Sequence, residues 1–157
     1  MKKAFLIFLV VLVVLGTIGC SSKNDQDTVG KVLLQAFKSN PDGTALEVAE
    51  RIITNKCIPF MGGAMEVEPG LLTGFDNAEI TGFKEGAMFS PMIGTIPFVG
   101  YIFELEDGAD VDGFLDSLKE NANLRWNICT EAEELTLGRE GNKVFFLMSP
   151  MSFEEAE

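Results

Sequence analysis

Three cysteines, Cys20, Cys57 and Cys129, carry the most versatile chemistry in the chain. A thiolate can act as a nucleophile, ligate a metal or join a disulfide. The chain has no histidine, so it lacks the usual base that activates a cysteine or serine nucleophile and the commonest zinc ligand. Cys57 and Cys129 lie in apolar stretches 72 positions apart and form a possible disulfide, with two buried free thiols as the alternative.

Carboxylates are the second group with potential chemistry, and Glu131, Glu133 and Glu134 lie close together in the sequence. A hydrolytic carboxylate pair needs burial and a defined separation, which sequence spacing does not establish, so we expect a solvated acidic rim. The segment GADVDG at 108–113 resembles part of a calcium loop, but a glycine and a lysine stand where the first and last acidic ligands belong. Its aspartates are expected to cap a helix. The sequence predicts no catalytic residue, no metal site and no cofactor.

The segment before Cys20 has the layout of a secretory signal peptide. Two lysines at positions 2 and 3 precede the uncharged, mainly aliphatic residues 4–18. Those fifteen residues would reach only about 22 Å as a helix, whereas a bilayer core is about 30 Å thick. A permanent membrane span is therefore not expected.

The residues TIGC at 17–20 resemble a bacterial lipobox. That resemblance implies that residues 1–19 are a lipoprotein signal peptide and that Cys20 receives diacylglycerol through its thiolate. Two acyl chains would give stable membrane attachment. The alternative is an ordinary cleavage after Gly19, which would release the protein with Cys20 free.

Charge bears on the partners of the mature chain. All 24 acidic residues follow the leader while two of the 12 basic ones lie inside it, so the net charge falls from −12 to −14 on cleavage. Such a surface repels nucleic acid and anionic head groups, so we expect no nucleic-acid partner and membrane contact through the lipid on Cys20. The predicted location is the bacterial cell membrane, at the outer face of the cytoplasmic membrane, with residues 20–28 as a flexible tether.

The rest of the chain predicts one α+β domain at 29–150, followed by an acidic tail at 151–157. Apolar spacing predicts helices over 29–37, 44–56 and 107–123, the second opening with a capping box at Thr44 and Glu47. FVGYIFEL at 98–105 predicts a strand, and the two runs around residues 138–142 predict a terminal hairpin. We expect two layers, with the helices on one face of a mostly antiparallel sheet.

An apolar loop bounded by glycine and proline is predicted over residues 90–98. Methionine and aliphatic side chains in such a loop can be exposed to bind a partner. Met92, Ile93, Ile96 and Phe98 are therefore the candidate binding residues, for an unknown protein or peptide partner. The alternative is that they are core residues.

Three segments of the domain carry a resemblance: FVGYIFELED at 98–107, FLDSLK at 114–119 and KVFFLM at 143–148. They resemble a family of uncharacterised small lipoproteins from Gram-positive bacteria. The resemblance implies no catalytic residues. We expect a membrane-anchored, non-catalytic binding or accessory module; the alternatives are an envelope enzyme using Cys57 or carboxylates, and an inhibitor or immunity-type protein.

Overall fold

The computed structural model describes residues 27–153. The helices in this range are α1 Val29–Ser39, α2 Ala45–Ile53 and α3 Val111–Asn121. The strands are β1 Gly62–Glu66, β2 Gly70–Leu71, β3 Glu79–Ile80, β4 Glu85–Pro91, β5 Val99–Glu104, β6 Glu134–Glu140 and β7 Lys143–Ser149. No helix among residues 27–153 has the length and apolar character that a membrane span requires.

Five strands form one sheet in the order β1-β4-β5-β7-β6, and every neighbouring pair is antiparallel. The short strands β2 and β3 pair separately as a ribbon. The predicted α+β class, the antiparallel sheet and the terminal hairpin are confirmed. The hairpin turns through Gly141 at φ 59°, a conformation that glycine adopts without steric cost.

The helix starts follow the local sequence signals. The hydroxyl of Thr44 accepts a hydrogen bond from the amide of Glu47 at 3.2 Å, and the Glu47 carboxylate accepts one from the Thr44 amide at 2.8 Å. The predicted capping box is confirmed. Asp110 caps α3 by accepting from the amide of Gly113 at 3.0 Å, which confirms the capping role expected for GADVDG.

The central strands are apolar on both faces. On one face, Ile102 of β5 and Phe145 and Leu147 of β7 pack against α1 and α2. On the other face, Tyr101 and Phe146 belong to a second core that contains α3, the β2–β3 ribbon and the segment around Trp126.

The prediction that all helices lie on one face is therefore wrong. Helix α3 covers the face opposite α1 and α2. The physical reason is the run VFFLM at 144–148, which is apolar at consecutive positions and needs cover on both sides.

Strand β1 lies at the edge of the sheet beside α2. A Cβ at Gly62 would collide with the side chain of Ile53, so glycine at this position lets the helix approach the strand. At the other terminus, Phe153, which the sequence places in the tail, packs on the first core. Its ring lies 5.4 Å from that of Phe60.

Candidate functional site

The loop between β4 and β5 divides the four candidate binding residues into two kinds. Met92 and Ile93 are 65% and 82% exposed. Ile96 is half-buried, and Phe98 is buried, with only 2% of its surface accessible. Met92 and Ile93 are thus available to a partner, whereas Phe98 is a core residue.

Phe98 stabilises the base of this loop by packing against three other phenylalanine rings. Its ring centroid lies 5.2 Å from that of Phe60, 6.0 Å from that of Phe89 and 6.2 Å from that of Phe153. Edge-to-face and tilted pairs at these distances stabilise a core beyond simple burial. The loop is also fixed from the side, because the hydroxyl of Thr130 donates to the carbonyl of Thr95 at 2.8 Å.

Strand register brings other segments to the end of the sheet where this loop lies. Gly62 at the start of β1 pairs with Pro91 at the end of β4, and Val99 at the start of β5 pairs with Met148 near the end of β7. The amide of Met92 donates a hydrogen bond to the carbonyl of Met61 at 3.0 Å. Residues just before β1, between β4 and β5, and just after β7 are therefore neighbours.

Five exposed apolar side chains lie at this end, which we call the apolar end: Met61, Met92, Ile93, Ile128 and Met151. Ile128 is placed here because its segment is tied to the loop by the Thr130–Thr95 hydrogen bond. The side chain of Ile128 is 99% exposed. Single exposed apolar residues are ordinary, but a group on one surface indicates an interaction site.

Sequence patterns did not single out Ile128 or Met151. Ile128 stands in a turn segment and Met151 follows a strand, so neither has a periodic signal of its own. Only the pairing of distant strands brings them beside Met92 and Ile93. The one signal in the sequence was that both are large apolar residues outside a predicted helix or strand.

A shallow groove of about 220 Å³ adjoins the apolar end on the sheet face that α3 covers. Its lining includes Met88, Ser90, Pro91, Ile96 and Trp126. Trp126 is the only tryptophan of the chain.

The cysteines do not form a site with other reactive groups. Cys57 is half-buried and Cys129 is exposed, and both are free thiols, so the possible disulfide is not formed in this structure. Burial raises the pKa of the Cys57 thiol, although a hydrogen bond to its backbone acts in the other direction. A raised pKa lowers the thiolate fraction at neutral pH, which counts against a nucleophilic role. Cys20 lies outside the described residues.

Each carboxylate of the acidic cluster Glu131, Glu133 and Glu134 has a hydrogen-bond or ion-pair partner within the domain. Glu134 accepts from the amide of Gly30 at 2.8 Å, in the first turn of α1. Glu133 accepts from the amide of Met151 at 2.7 Å, and Glu131 forms an ion pair with Arg125 at 3.5 Å. Across residues 27–153, no three histidine, cysteine, aspartate or glutamate side chains come together as a metal site would need.

The opposite end of the sheet is charged. Glu104 at the end of β5 lies between Lys143, at 3.1 Å, and Lys84, at 3.4 Å. Partial burial would raise the pKa of Glu104, but the hydrogen bonds and charges of Lys143 and Lys84 together hold it below its usual value. We call these three residues the charged end.

Comparison with known proteins found no matching family model, and no match among curated proteins or solved structures. The resemblance to small lipoproteins of Gram-positive bacteria therefore stays a prediction from the three segments that carry it.

Proposed function

We propose that this chain is a lipid-anchored lipoprotein at the outer face of the bacterial cytoplasmic membrane, and that its domain is a non-catalytic binding module that meets its partner through the apolar end. The observation that carries the proposal is the group of five exposed apolar side chains at the end of the domain where the chain enters it. The amide of Val29, the first residue of α1, donates to the carbonyl of Met151 at 2.9 Å. The binding surface therefore adjoins the segment that leads back to Cys20.

The anchor is supported by the order of the N-terminal sequence. A positively charged start, an uncharged apolar segment and the TIGC motif precede the polar residues 21–28. In this proposal the Cys20 thiolate displaces the phosphate-ester head group of a membrane glycerophospholipid, so that a thioether to diacylglycerol forms as the head-group phosphate leaves and the thiol proton is lost. Hydrolysis of the peptide bond between Gly19 and Cys20 then removes residues 1–19.

The binding role is supported by how the reactive groups of the described domain are used. Glu133 and Glu134 are engaged with backbone amides, and Cys57 is partly buried with a raised pKa. The apolar side chains of the apolar end, in contrast, are at least 50% exposed. Exposed apolar surface is what a partner can bury.

Mass spectrometry of the N-terminal peptide tests the anchor. The full chain is expressed in a Gram-positive host, and the membrane fraction is expected to contain protein that begins at Cys20 and carries acyl mass there. The Cys20→Ser variant should either stay in the membrane as uncleaved precursor or be shed to the medium. Native protein in the cytosol with residues 1–19 attached and no lipid would overturn the proposal.

Thiol alkylation at neutral pH tests the binding module against an enzyme that uses Cys57. In the lipidated protein, Cys129→Ser leaves Cys57 as the only free thiol. We expect Cys57 to react much more slowly in the folded protein than after unfolding in denaturant. Faster alkylation in the folded protein would indicate an activated nucleophile and contradict the non-catalytic assignment.

A further inference from the structure

The apolar end is built from separate segments that have no sequence signal in common. Its side chains come from the residue before β1, the β4–β5 loop, the segment after α3 and the second residue after β7. The exposed fractions of Met61, Ile93 and Ile128 are 73%, 82% and 99%. Exposure this high leaves most of the apolar surface of each side chain available for burial.

The position of the chain entry limits what can lie against this surface. Thr28 caps α1 and follows Cys20 by eight positions. Eight residues span at most about 26–29 Å when fully extended. Because Val29 is hydrogen-bonded to Met151, a lipid on Cys20 holds the Met151 side of the apolar end within about that distance of the bilayer surface.

The charged end lies farther from the anchor. Strand β4 runs from Glu85 to Pro91, and seven strand residues extend about 20–23 Å. Lys84, Glu104 and Lys143 therefore lie on the side of the domain away from the chain entry. A tether attached at the apolar end therefore allows an orientation in which the apolar side chains face the membrane and the ion pairs face water.

Two carboxylates near the apolar end have partners within the domain. The carboxylate of Glu131 is paired with Arg125, and that of Glu133 accepts a hydrogen bond from Met151. The contact would depend on burial of methionine and isoleucine side chains, because a mature chain with 24 acidic and 10 basic residues gains nothing from anionic head groups.

We propose that the partner of the apolar end is the lipid bilayer itself: Met61, Met92, Ile93, Ile128 and Met151 insert into the membrane interface and fix the orientation of the anchored domain. This inference rests on the lipid anchor of the proposed function. It adds a second contact, between the domain and the membrane that carries it.

The single tryptophan provides the test in the intact protein. Trp126 lies two residues from Ile128 and lines the groove beside the loop. The mature lipidated protein is reconstituted into phosphatidylcholine vesicles with and without bromine atoms on the acyl chains, and bromine quenches tryptophan fluorescence only at close range. We expect clear quenching of Trp126 by the brominated vesicles.

Two variants separate insertion from anchoring alone. The double variant Ile93→Ser and Ile128→Ser should lose most of the quenching while its Cys20 peptide keeps the acyl mass. The matched control is Leu71→Ser, because Leu71 is 67% exposed but lies on the β2–β3 ribbon, outside the apolar end. It should be quenched like the wild type.

The possible failures are distinguishable. If the wild type carries acyl mass and floats with the vesicles but shows no quenching, the bilayer contact is overturned, the anchor stands, and the apolar end is left for a protein or peptide partner. Quenching that is equal in the double variant and the wild type also overturns the contact. If Cys20 carries no lipid and the protein does not float, the proposed function fails together with this inference.

Discussion

The two ends of the central sheet present different surfaces to the surroundings: ion pairs at one end and exposed apolar side chains at the other. At the charged end, Glu104 is held between Lys143 and Lys84, and these groups are stable facing water. At the apolar end, a buried aromatic cluster around Phe98 supports exposed side chains such as Ile93 and Ile128. The difference teaches that, of these two ends, the apolar one presents the group of exposed methionine and isoleucine side chains that a partner can bury, so the search for function begins there.

Removal of Phe98 should have the largest effect and shows which part of the apolar end is core. Phe98→Ala removes a ring that contacts Phe60, Phe89 and Phe153, and we expect it to lower the free energy of unfolding by about 3–5 kcal/mol. Urea unfolding followed by circular dichroism measures this. Ile93→Ala is the control and should change stability by no more than about 0.5 kcal/mol, because Ile93 is 82% exposed. Similar losses in both variants would contradict the division between core and surface.

Glu104→Gln tests the charged end and should lower the free energy of unfolding by about 1–2 kcal/mol at pH 7. The substitution weakens the charge-assisted hydrogen bonds to Lys143 and Lys84, which lie in a partly exposed setting. The pKa of Glu104 is lower in the folded protein than its ordinary value of 4.5. The unfolded state therefore binds more protons in that range, and the stabilisation is complete above the unfolded pKa and lost as pH falls through the folded pKa.

The difference in stability between wild type and Glu104→Gln should accordingly disappear on acidification. Urea unfolding at a series of pH values measures it, with Glu120→Gln on the exposed side of α3 as the control. A difference that stays constant down to the lowest pH would show that the charge of Glu104 is not what stabilises this end.

The smallest effect is expected for the ion pair of Arg125 with Glu131 at the apolar end. The two side chains are 78% and 56% exposed, so water screens their attraction. A double-mutant cycle with Arg125→Ala and Glu131→Ala should give a coupling energy of no more than about 0.5 kcal/mol, decreasing as salt is added. A coupling as large as the effect of Glu104→Gln would remove the electrostatic distinction between the two ends.

Local features of the fold were predictable from the sequence because they are encoded within a few residues. The capping box at Thr44, the strand at 98–105 and the terminal hairpin all follow from short patterns. The placement of α3 was not predictable from the sequence. Helical periodicity shows that a helix has an apolar face but does not show which side of a sheet that face covers. The apolar run at 144–148 contained the signal that both sheet faces are buried.

The candidate site was predictable only in part for a similar reason. A loop bounded by glycine and proline pointed to Met92 and Ile93, and both are exposed. It also pointed to Phe98, which is buried, because sequence does not distinguish an apolar residue at the base of a loop from one at its tip. Ile128 and Met151 join the site only through long-range pairing.

The hydrogen bond between Val29 and Met151 has a practical consequence for tagging this protein. Met151 is followed two residues later by Phe153, the last described residue, so a tag that replaces the residues after Phe153 would be attached close to the chain entry and could block access to the apolar end. A reporter inserted in the turn at 40–43, between α1 and α2, would leave that space open.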